Sequence, residues 1–143
     1  MEIILAENHG FCYGVKRAVE MADEAANSEG KSYTLGPIIH NPQVVGRLEN
    51  KGVSPIQEVA DIDEGTMIIR SHGVGPAIYA EAEEKGLHIL DATCPHVKKA
   101  QQDAKSVIED GMTLVILGEK NHPEVKSINL WANNKGIIIE DEE

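Results

Sequence analysis

The residues of this sequence best equipped for chemistry are two cysteines, Cys12 and Cys94, and three histidines set beside turn-forming residues: His40, His72 and His122. The thiolate of a cysteine is a nucleophile and a ligand for soft metals and iron–sulfur centres, whereas a buried thiol is simply a small hydrophobe. Cys12 lies in Gly10-Phe11-Cys12-Tyr13-Gly14 and Cys94 in Thr93-Cys94-Pro95, with no CxxC pairing between them. The histidines occur as His40-Asn41-Pro42, Ser71-His72-Gly73 and His122-Pro123-Glu124. A neutral imidazole offers one donor and one acceptor, so it can bind an oxoanion or a metal, or stand as a polar loop residue. Glu124 can deliver a proton, although a carboxylate in a helix's first turn is also favoured by the macrodipole alone. Two thiols and two imidazoles would suit tetrahedral zinc, but their spacing follows no zinc-finger pattern. Gly73-Val74-Gly75 is too short a glycine pattern to signal a nucleotide, and His9, His88 and His96 are assigned surface or packing roles.

Short apolar runs alternate with helix-like stretches along the chain, the mark of βαβ units and a mostly parallel sheet, so the fold class is α/β. Strands are predicted over 3–6, 33–39, a short one near 53, 67–70, 88–90, 112–117 and 136–139. The first helix follows Gly14, with Val15, Ala18, Val19, Ala22, Ala25 and Ala26 on one stripe. Four more are predicted over 42–50, 76–85, 95–109 and 123–132, each opening on a proline, a residue favoured at N1. Cys12, His40, His72, Cys94 and His122 all fall past a strand's carboxyl end and just before a helix. In open α/β sheets that edge binds ligands, because its loops converge and helix N-termini point N–H groups outward. Two thiols and three imidazoles are therefore expected to converge on one pocket.

Thirteen basic against twenty-four acidic residues give a net charge of −11, which disfavours general binding to nucleic acid or an anionic membrane. No apolar run approaches the roughly 20 residues of a membrane helix, and Glu2 and Glu7 stand where a signal peptide would be basic and then apolar. A cytoplasmic protein with free thiols is expected. The acidic stretch Glu58, Asp61, Asp63 and Glu64 needs no role beyond a solvated connection. A boundary near Cys94-Pro95 divides the chain into 1–94 and an incomplete 95–143.

The strings Gly-Phe-Cys-Tyr-Gly-Val (10–15), Ile-His-Asn-Pro (39–42), Ser-His-Gly-Val (71–74), Asp-Ala-Thr-Cys-Pro (91–95) and His-Pro-Glu-Val (122–125) closely resemble the LytB family of 4-hydroxy-3-methylbut-2-enyl diphosphate reductases. The resemblance implies reductive removal of an allylic hydroxyl to give isopentenyl and dimethylallyl diphosphate in the methylerythritol phosphate route to isoprenoids. It implies a [4Fe-4S] cluster with Cys12 and Cys94 as two of three cysteine ligands, His40, His72 and His122 on the diphosphate, and Glu124 as the proton donor. An external electron donor of ferredoxin or flavodoxin type is implied as well. Family members are about twice as long and carry three similar α/β units, of which this chain matches the first and part of the second. The third cysteine is absent here, so a truncated, inactive reductase is expected. The strand within 1–11 is expected to belong with the missing third unit. The alternatives are a diphosphate-binding module without turnover and a Cys/His zinc protein.

Overall fold

The computed structural model describes residues 2–7 and 9–141. In chain order the elements are α1 (Tyr13–Ala26), β1 (Ser32–Leu35), α2 (Pro42–Glu49), β2 (Val53–Ile56), a 3₁₀ turn (Val59–Asp61), β3 (Thr66–Ile69), α3 (Pro76–Glu84), β4 (His88–Asp91), α4 (Pro95–Glu109), β5 (Val115–Leu117), α5 (Pro123–Trp131) and β6 (Ile137–Ile139). Prolines occupy the first turn of α2, α3, α4 and α5, as predicted. Four strands form one parallel sheet in the order β2-β1-β3-β4, and β5 and β6 pair in parallel in a second.

The larger sheet is covered on both faces, because successive side chains of a strand point to opposite sides. Ile68 and Val53 join Ala18, Ala22 and Ala25 of α1 and Leu48 of α2 in one core cluster. Met67 and Ile69 face the other way, with Leu35, Ile56, Val59 and Ala82 of α3. Alanine on α1's buried stripe lets that helix lie close to the sheet. The acidic connection folds into the 3₁₀ turn, closed by a reciprocal cap between Glu58 and Asp61.

Two strand expectations are corrected. Residues 3–6 form no strand: Ile3, Ile4 and Leu5 are 75%, 82% and 74% exposed. A strand exists only by pairing, and no described segment lies alongside this one to complete a ladder. The strand expected over 33–39 ends at Leu35, where Gly36 takes a positive φ of 70° and Pro37 has no N–H to donate. Ile38 and Ile39 are buried all the same, packing in the loop that leads to His40.

Candidate functional site

Parallel order sends the carboxyl ends of β1, β3 and β4 to one edge, and hydrogen bonding continues past the strands themselves. The Ser71 N–H donates to the Ile38 carbonyl at 3.5 Å and the Cys94 N–H donates to the Ser71 carbonyl at 2.9 Å. Ile38, Ser71 and Cys94 thus form a row across the edge, which fixes the starts of the loops bearing His40 and His72 beside Cys94. Helix α5 is docked onto this edge. Ser127 Oγ donates to the His72 carbonyl at 2.8 Å, Trp131 Nε1 donates to the Val74 carbonyl at 2.9 Å, and Gln101 Nε2 on α4 donates to Ser127 Oγ at 3.2 Å. A Cβ on Gly75 would lie 2.8 Å from Leu130, so this loop and α5 meet without an intervening side chain.

These contacts bring three imidazoles together. Ring centroids are 4.6 Å apart for His40 and His72, 5.9 Å for His40 and His122, and 5.6 Å for His72 and His122. One ring nitrogen from each lies within 4.8 Å of the others. His40 is exposed and the other two are half-buried. His122 caps α5, its Nδ1 accepting from the Glu124 N–H at 3.3 Å. A backbone N–H can only donate, so Nδ1 carries no proton and the neutral ring holds its proton on Nε2. The Nδ1 of His72 is buried without a partner, which leaves Nε2 as its working atom. Burial, reinforced by His40, Arg70 and His122, pushes the His72 pKa down to about 4, so this ring is neutral at pH 7. An outward N–H suits an oxoanion, whereas a metal would need a lone pair at that same nitrogen.

Cys12 and Cys94 are free thiols at two neighbouring helix N-termini, Cys12 capping α1 and Cys94 capping α4. A Cβ on Gly14 would stand 2.5 Å from Cys94 Sγ, so the first turn of α1 lies directly against the Cys94 side chain. Arg17 holds the two helices in this relation, donating to the carbonyls of Thr93 at 3.2 Å and Asp91 at 3.4 Å. Cysteine sulfurs are the ligands that iron–sulfur clusters take, so this pair of free, neighbouring cysteines fits the donor chemistry of such a cluster. Among the described residues, the donors close enough to share one ion are the three histidines, and neither thiol joins them. That separation counts against a mixed Cys/His zinc centre. Glu124 lies half-buried in the first turn of α5, two residues from His122, and its carbonyl shares the Ser127 hydroxyl proton with the His72 carbonyl, each oxygen 2.8 Å from Oγ. His9, His88 and His96 are all exposed and stand apart from the cluster.

Several residues that hold the site are not evident as such in the sequence. Asp91 accepts from the Tyr79 hydroxyl at 3.0 Å and the Thr93 N–H at 2.9 Å, and pairs with Lys98 at 2.6 Å. Burial alone would raise its pKa, but these hydrogen bonds outweigh that and hold it below the usual value. Gln101 did leave a trace: it follows Val97 by four and precedes Ala104 by three, a polar residue on a buried stripe. Arg17, Ser127 and Trp131 left none, because the carbonyls through which they tie the site together lie 55 or more positions away.

A family model described as LytB protein matches residues 3–143. The 4-hydroxy-3-methylbut-2-enyl diphosphate reductase of Geobacter metallireducens is 52% identical over all of this chain and 51% of its own length. Its Geobacter sulfurreducens counterpart is 54% identical over 97% of this chain and 49% of its own. A solved (E)-4-hydroxy-3-methyl-but-2-enyl diphosphate reductase, described as the terminal enzyme of the non-mevalonate pathway, superposes with a TM-score of 0.84 at 49% identity, over 97% of this chain and 51% of that one. The Plasmodium falciparum E-1-hydroxy-2-methyl-but-2-enyl-4-diphosphate reductase gives a TM-score of 0.90 at 32% identity, over 94% of this chain and 43% of that one. The chain therefore spans about half the length of the curated relatives it matches. With its motifs, its parallel sheet and the full run of residues from 3 to 143 all in agreement, the chain belongs to the LytB family.

Proposed function

We propose that this chain supplies the diphosphate-binding histidines, a proton-donating acid and two cluster thiolates of a 4-hydroxy-3-methylbut-2-enyl diphosphate reductase. The observation that carries the reading is the convergence of His40, His72 and His122, with the His122 N–H fixed outward by the Glu124 backbone. Imidazole donors and helix N-termini let a chain of net charge −11 accept a diphosphate, because the local dipoles offset the overall field.

The reaction consumes two electrons and two protons, breaks one allylic carbon–oxygen bond and yields water with isopentenyl or dimethylallyl diphosphate. A [4Fe-4S] cluster, held in part by Cys12 and Cys94, supplies the electrons and a Lewis-acidic iron when bound. The histidines fix the diphosphate end, which sets where the allylic hydroxyl lies. Glu124, two residues from a histidine of that anchor, protonates the departing oxygen, since cleavage without a proton would release hydroxide. Electrons arrive from a ferredoxin- or flavodoxin-type donor in the cytoplasm, and neither nucleic acid nor membrane takes part. Residues 1–94 and 95–143 act as two units that meet at the α4 N-terminus. With only two cysteines in its sequence, the chain by itself does not turn over substrate.

Diphosphate binding tests the reading. A hydrogen bond to a charged group is worth about 1.5–3 kcal/mol, so His40→Ala, His72→Ala and His122→Ala should each weaken inorganic diphosphate binding about tenfold or more by calorimetry. His88→Ala should leave it unchanged. An equal loss in all four variants would reject the histidine cluster as the anion site.

A further inference from the structure

Behind the loops that carry the histidines lies a second cleft, of about 380 Å³, a volume within the range of small-ligand pockets. Its charged side chains are Arg70 and Lys126, and among the described residues no carboxylate lines it, in a chain with twenty-four acidic residues. The guanidinium of Arg70 lies over Gly36, where a Cβ would stand 2.7 Å from Nη1. Its Nε is buried without a hydrogen-bond partner, and among the described residues no acid pairs with either Arg70 or Lys126. A half-buried guanidinium left unpaired is costly, and its planar fork matches the oxygens of phosphate or carboxylate. Asn121 and Gln57 add neutral polar groups at the rim, while Leu35, Val74, Ile78 and Leu130 give the cleft an apolar wall. None of the three clustered histidines lines it.

We infer that this cleft is a second oxoanion site, separate from the histidine cluster, in which Arg70 and Lys126 hold the phosphate or carboxylate head of a small molecule whose apolar part rests on Leu35, Val74, Ile78 and Leu130. The site shares a wall with the first. Gly73 and Pro123, each next in sequence to a clustered histidine, line it, so an occupant would bear on the loops that position His72 and His122.

Titration of the chain with inorganic phosphate and with isovalerate at constant ionic strength, followed by ¹⁵N-resolved NMR, tests this. Saturable shifts are expected at the Arg70 Nε–H and the Asn121 backbone N–H, with one of the two probes binding more tightly and so identifying the head group. Arg70→Gln and Lys126→Gln should each weaken that binding about tenfold, the usual worth of a charge-assisted hydrogen bond, whereas His40→Ala should leave it intact. Lys126 is exposed, so its variant is expected to fold even where loss of Arg70 disturbs the sheet edge. Unsaturable shifts with both probes would overturn the inference. So would binding that survives both Arg70→Gln and Lys126→Gln but is lost in His40→Ala, since the anion would then sit only in the histidine cluster.

Discussion

At the scale of single residues, the site is set by which atom of each ring holds a proton. His122 is locked by one backbone N–H, and His72 is kept neutral by burial first and then by its neighbours His40, Arg70 and His122, which oppose a charge there. The His72 pKa of about 4 lies below the 6.5 of a free imidazole, so between those values the unfolded chain binds a proton that the native chain does not. Its contribution to stability is therefore complete above about pH 6.5 and is lost as the pH falls toward 4. Denaturant unfolding at pH 7 and 4.5 should show a loss of at most about 3 kcal/mol from this group, less as solvent screens it, and His72→Gln should remove that part. Glu124 makes a different prediction. In a protein of the relatives' full length, Glu124→Gln should lower turnover by about 10²–10⁴-fold with substrate binding little changed, if the carboxyl moves a proton. A carboxylate that serves only its helix is worth about 0.3–1 kcal/mol, so in that case the melting temperature would drop slightly while turnover persisted.

At the scale of elements, the sheet supplies the row Ile38, Ser71 and Cys94, but α5 completes the cluster, and its docking depends on small and polar residues at close quarters. Gly73 is the tightest of these. Its φ is +70°, and an added Cβ would press on the Gln101 side chain and stand 2.9 Å from Thr93 Cγ2. Gly73→Ala should therefore cost about 1–3 kcal/mol in unfolding experiments and also weaken diphosphate binding, because Gln101 holds the Ser127 hydroxyl that ties α5 to the His72 loop. Ser127→Ala should reproduce the binding loss without the backbone strain. Equal diphosphate affinity in wild type and Ser127→Ala would show that α5 needs no such tie to present His122.

At the scale of the whole molecule, apolar surface stays open on the two-stranded sheet and along the first segment. Val115, Leu117, Ile137 and Ile139 on the two-stranded sheet are 54%, 77%, 54% and 41% exposed, and residues 3–5 lie unpaired. Two thiolates leave at least two irons of a cubane without a protein ligand. Anaerobic reconstitution of the 143-residue chain should thus give well under four irons per chain after gel filtration, and quantitative, stable loading would contradict this. Much of the arrangement was nonetheless legible in order along the chain. Prolines at N1 announced four helix starts, alternation of apolar runs announced the parallel sheet, and each candidate Cys or His stood just ahead of a helix. Such signals are local, depending on φ preference, side-chain periodicity and position relative to the nearest turn. The tertiary structure alone decided that residues 3–6 pair with no described strand, that the three histidines come within reach of one ion without either thiol among the described residues, and which nitrogen of His122 is left free to donate. It also decided that an unpaired arginine lines a second cleft. Each of these depends on contacts between residues distant in sequence, or on a proton whose place is set by a neighbour's geometry, and neither is written in residue type or spacing.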